Sequence, residues 1–160
     1  MASQPEKTPP SPAVPTSALL RTLVLAWLVP GAGHLQLDPL HRRRGLWYGG
    51  LIHLTFLIGM LMHGGMVWPN WNPQDPTFNV VNNLTFVVQM FAGWPALVSL
   101  GGFFAGLAPL KAQEPHAWFE LGAFYCLVAG ALNYFVICNA ADLRRRKAVN
   151  VPAAQEKASS

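Results

Sequence analysis

This sequence predicts an all-α fold, an integral membrane bundle of about four transmembrane helices. Three observations carry that expectation. Apolar residues make up 52% of the 160 residues and charged residues only 11%, against about 25% charged in a typical soluble domain. So few charges cannot cover the surface of a soluble fold of this size, whereas lipid tolerates the excess apolar surface. Apolar runs of about spanning length alternate with short polar or proline-rich breaks. The basic residues are grouped at the ends of those runs, three at 42–44 and four at 144–147, where arginines set membrane orientation and attract anionic headgroups.

Residues 1–16 are rich in Pro, Ser and Thr without an apolar period, and read as a disordered tail. The membrane domain follows over 17–147. Its first span, 18–37, begins with a run that reaches only to Val29. As a helix that run is roughly 18 Å long, short of a hydrocarbon core of about 30 Å. It must either continue to Leu37 with a kink at Pro30, or dip in and return. A cleaved signal peptide is the alternative, but the tail before the apolar run is long and its basic region poor. The second span, 45–68, carries no formal charge and is flanked by Trp47, Tyr48, Trp68 and Trp71, the aromatic pattern of a membrane interface. Residues 69–77 hold three prolines and form a loop.

The stretch 78–110 is too long for one straight helix and short for two. The leading expectation is one tilted or kinked span over 84–107; its rival is a re-entrant hairpin folding at Gly93-Trp94-Pro95. A polar loop around Lys111 leads to the last span, 118–140, and residues 148–160 read as a second disordered tail. Four spans set the two arginine clusters on opposite sides. With the termini cytoplasmic, seven Lys and Arg fall on that side and four on the other, a weak bias under the positive-inside rule. The hairpin would bring both clusters to one side.

The candidates for chemistry are thin. His34 and Asp38 lie four apart and can share a helix face, yet one imidazole and one carboxylate fall short of a metal or catalytic site; capping a turn is the simpler role. Met62, His63 and Met66 offer soft ligands for Cu(I), although methionine is also ordinary core filling, and no metal or other cofactor is expected. His53, Gln89 and Asn133 are polar at membrane depth, where such groups either mark function or bond neighbouring helices. Arg42, Arg43 and Arg44, with His34, Asp38 and His53, are the candidates for a ligand or lipid. Gly102 and Gly106 form the Gly-x-x-x-Gly spacing of close helix packing, to which Gln89 and Asn133 add interhelical bonds. Glu120 suits the start of the last helix. Cys126 and Cys138, roughly 18 Å apart along a helix, lie beyond disulfide reach. No nucleophile elbow, Cys-x-x-Cys, zinc-protease helix or phosphate loop occurs. Nucleic acid is not an expected partner, since no soluble module presents the basic residues.

Pro30-Gly31-Ala32-Gly33-His34, the arginines at 42–44 and the following helix resemble small bacterial membrane proteins with the same hairpin. They are loosely similar to the two-helix TM-two module, although Leu35-Gln36-Leu37-Asp38-Pro39 replaces its usual Tyr-Leu-Gly step. The segment from Ala129 to Asp142 looks like the last helix of an uncharacterised family sharing that hairpin. These resemblances imply a multi-pass protein of the bacterial inner membrane and bring no active site. The expected function is a non-catalytic accessory, assembly or scaffold subunit that packs against partner helices or a second copy. A membrane carrier of a small ligand, lipid or metal is the alternative, and a membrane enzyme resting on His34 and Asp38 comes third.

Overall fold

The computed structural model describes residues 15–107 and 117–159, with side chains through Lys147. Most of the expected N-terminal tail and the Lys111 loop lie outside the described residues. Six helices follow in order: α1 Thr16–Leu28, α2 Ala32–Leu35, α3 Pro39–Leu61, α4 Val80–Met90, α5 Trp94–Phe104 and α6 Phe119–Ser159. Among the described residues there is no strand.

The centre of the molecule is the antiparallel pair α3 and α6. Their contact faces are made of small residues. On α6 the buried positions are Gly122, Ala123, Cys126, Ala129, Gly130, Asn133, Ile137 and Ala140, a stripe at three- and four-residue spacing. On α3 they are Gly45, Gly49, Ile52, Phe56 and Gly59. A Cβ on Gly122 would lie 2.6 Å from the Gly59 carbonyl oxygen and 2.5 Å from the Gly64 nitrogen, so the two backbones meet where no side chain fits. At the other end of the pair, Lys147 Nζ bonds Asp38 Oδ1 at 3.0 Å. That end, called the basic end below, therefore holds both arginine clusters.

Two short hairpins enter from opposite ends. α1 starts near the basic end, where Thr22 Oγ1 lies 3.3 Å from Gln36 Oε1, and its 13 residues carry it roughly 20 Å inward. Pro30 and Gly31 then turn the chain, and α2 leads it back toward Asp38. The expected span 18–37 is thus divided at Pro30 and Gly31 into α1 and α2, and the chain turns back there. α4 starts at the opposite end, where Asn83 and Asn70 exchange two hydrogen bonds (Asn70 N to Asn83 Oδ1, 2.8 Å; Asn83 Nδ2 to Asn70 O, 2.7 Å). It breaks after Met90, and α5 departs at 119°. α5 finishes at the end it came from, where Phe103 stacks on Trp68 with centroids 4.6 Å apart. The tilted span expected over 84–107 is therefore bent into a helical hairpin at Gly93-Trp94-Pro95, where the rival expectation placed the fold.

α6 contains one stretch, Phe119–Lys147, long and apolar enough to cross a membrane, and α4 with α5 passes the same test only as a bent pair. The helix runs on to Ser159, past the point where a disordered end was expected. Ala, Gln, Glu and Lys in that stretch are good helix formers. α3 begins at Pro39, six residues before the expected start, since Asp38 precedes a proline at the first helical position. The core is a single cluster of Ile52, Phe56, Met66, Ala92, Ala96, Cys126 and Ala129.

Candidate functional site

The tips of the two hairpins meet beside the middle of α6, and a helix end leaves carbonyls without donors. Proline sharpens the problem. Pro30 stands four residues after Ala26 and Pro95 four after Phe91, so neither carbonyl has an N–H at the helical position. Asn133 supplies both. Its Nδ2, fully buried, donates to Ala26 O at 3.3 Å, Trp27 O at 3.3 Å and Phe91 O at 2.8 Å. Trp27 Nε1 donates to Met90 O at 3.1 Å, tying the first tip to the second. Gly93 has φ +79°, and a Cβ there would lie 2.7 Å from Leu28 O, so only glycine lets the tips touch. Asn133 Oδ1 is buried without a partner.

Gln89, also fully buried, serves the opposite half. It accepts from Val67 N at 2.9 Å and donates to Gly65 O and Ala123 O, each at 3.2 Å. It thereby fixes the irregular backbone after α3 to α4 and α6. Buried irregular backbone needs its polar groups paired, and Gln89 and Asn133 pair them here. Both were expected to bond between helices, and their targets are backbone carbonyls and an amide.

His53 sits half-buried on α3. Its Nδ1–H donates to Gly49 O at 2.6 Å, and Nε2 accepts from Trp94 Nε1–H at 2.7 Å. Both ring nitrogens are thus engaged, and their partners define the tautomer. His34 and Asp38 do not act together. His34 is buried in α2, with Nε2 2.9 Å from Asn139 Oδ1, Nδ1 without a partner, and its ring edge-on to Tyr48. Asp38 precedes α3, makes no side-chain cap and faces Lys147. The Pro-Gly-x-Gly-His turn gains its reason from packing. Gly31 has φ +85°, its carbonyl would be 2.7 Å from a Cβ on Gly45, and Gly33 has Ala26 and Ala140 in the space of its missing side chain.

Of the soft-ligand candidates, Met66 is in the core cluster, Met62 is the C-cap of α3, and His63 takes a left-handed turn at φ 59°. Among the described residues no three His, Cys, Asp or Glu converge as metal ligands. Gly102 is buried in α5, but Gly106 lies past its end at φ +70° in open space, its N–H bonded to Phe103 O at 3.1 Å. It ends a helix in the usual left-handed manner, with no close neighbour among the described residues. The close approaches belong to Gly59, Gly64, Gly122 and Gly130. Arg42, Arg43 and Arg44 are exposed at the basic end. Sequence reasoning missed Trp27 and Asn139, and it gave Gly93 and Trp94 only as the fold of the rival hairpin; the proline-minus-four carbonyls were a further available signal.

A family profile matches residues 21–149. The chain belongs to DUF6677, a family of unknown function. No curated protein and no solved structure matches it. The part of this DUF6677 chain that matches takes in both hairpins, both basic clusters and Asn133.

Proposed function

We propose that this DUF6677 protein is a multi-pass, non-catalytic protein of the bacterial inner membrane, serving as an accessory or assembly subunit for partner membrane helices. In this reading α3 and α6 cross the bilayer, α1–α2 and α4–α5 each dip to mid-depth, and the basic end faces the cytoplasm. The observation that carries it is how the deep polar groups are spent. The Asn133 amide N–H groups, Gln89 and His53 all bond backbone or Trp94, leaving no convergent set for chemistry. The outer surface adds support. Leu46, Leu54, Leu57 and Leu61 of α3 are more than half exposed, while its inner face is largely glycine, the reverse of a soluble helix. With both clusters at one end, the positive-inside rule points that end to the cytoplasm.

For the partner, the useful feature is Gly50. It stands amid the exposed leucines of α3, and a Cβ there would have nothing within 4 Å. Such a gap lets another helix approach closely. Affinity purification of a tagged copy from native membranes in mild detergent, with mass spectrometry, tests the proposal. A stoichiometric membrane-protein partner is the expected result, and a lone species contradicts it. Carriage of a small ligand is the second reading, favoured by a cavity of about 690 Å³ at the opposite end, lined by Trp68, Thr85, Phe103, Glu120 and Phe124 among others.

A further inference from the structure

We infer that the two basic clusters, about a hundred residues apart in sequence, form one composite surface that binds the phosphate of anionic glycerophospholipids. This rests on the membrane reading above and adds a ligand class to it. The bridge from Lys147 to Asp38, 3.0 Å long, joins the end of the α6 cluster to the start of α3. Among the described residues the carboxylates of this end are engaged: Asp38 holds Lys147, and Asp142 holds Arg146 at 2.8 Å. Arg42, Arg43, Arg44, Arg144 and Arg145 have no carboxylate partner among the described residues. That leaves five guanidiniums, a group whose planar fork matches phosphate oxygens in pairs.

The surroundings choose a lipid over another polyanion. Leu40, Leu46 and Trp47 flank the first cluster and are 62%, 64% and 71% exposed, with Tyr48 beside them. A ligand that satisfies both kinds of surface carries a phosphate and an acyl chain on one molecule. Tryptophan and tyrosine at this position sit at headgroup depth, which puts the arginines level with the phosphates.

The test uses the full chain, purified in mild detergent, delipidated and titrated with phosphatidylglycerol or phosphatidylcholine under native mass spectrometry. The wild type should retain phosphatidylglycerol on the order of 25-fold more tightly, at about fivefold for each of at least two interacting arginines, one from either cluster. The triple change Arg42→Gln, Arg43→Gln, Arg44→Gln and the double change Arg144→Gln, Arg145→Gln should each remove most of the preference, because each removes half of one surface. Equal retention of the two lipids, or variants that behave as wild type, overturns the inference. So does full competition by millimolar inorganic phosphate, which identifies the ligand as a free anion. Thermal unfolding of each variant separates lost binding from lost fold. A protein that leaves the membrane without detergent fails the membrane reading instead, a result distinguishable from all of these.

Discussion

Asn133 is the residue on which the arrangement turns. Replacing it with Ala would strip donors from the Ala26, Trp27 and Phe91 carbonyls in a site closed to water. A buried polar group left without a partner costs about 1–3 kcal/mol, and membrane bonds average nearer 0.6 kcal/mol. We expect Asn133→Ala to lower stability by about 2 kcal/mol, read as a drop of several degrees in thermal unfolding in detergent; an unchanged midpoint would show that the tips hold without it. Gly93→Ala should destabilise at least as much, since it adds a clash to a left-handed backbone. Asp75 in the 69–77 loop makes a different prediction. Hydrogen bonds from the Thr77 hydroxyl and amide hold its carboxyl below the ordinary 3.8. A lowered folded value means the bonds favour the ordered loop above pH 3.8 and are lost only as pH falls through the lower value. Emission from the neighbouring Trp71 should therefore stay constant down to that range, and Asp75→Asn should abolish the acid transition. The polar character of Asn133, Gln89 and His53 at depth was legible in the sequence. Their partners were not, because those lie on backbone up to 107 residues away and leave no local pattern.

At the scale of elements, the runs that begin and end cleanly were readable and the broken ones were not. The second run is α3 with shifted bounds, and the last run is the first part of α6. The stretch over 78–110 was ambiguous because its composition suits a span while Gly93 and Pro95 suit a turn, and the winner depends on whether protein can satisfy the turn at depth. Here Asn133 and Trp27 do. Glycine spacing misled for a related reason: Gly102 and Gly106 share the packing period, yet the helix ends between them, while Gly59 and Gly122 pair across helices at no fixed spacing. Gly122→Leu should therefore prevent folding, its side chain meeting the backbone at Gly59 and Gly64. Gly50→Leu should leave thermal unfolding in detergent unchanged, since that space is open, but abolish copurification of the partner. A partner retained by Gly50→Leu would move the interface elsewhere.

For the whole molecule, the sequence posed a conflict that the fold resolves. Four spans would set the arginine clusters on opposite sides; the antiparallel α3 and α6, with the chain turning back in each hairpin, bring them together at Asp38 and Lys147. All-helical class, apolar composition and the end-grouped charges were visible from the residues alone. The shared end was not, since it depends on where a break in the third run sends the chain. The central claim is that shared end, and single-cysteine labelling in intact cells tests it most directly. Cys126 and Cys138 are first replaced by Ala, and one cysteine is placed at Arg43, Asn72 or Arg145 in turn. With a membrane-impermeant maleimide, the account predicts that positions 43 and 145 are labelled only after lysis and that position 72 is labelled from outside. Labelling of 43 and 145 from opposite sides would contradict it and restore four spans.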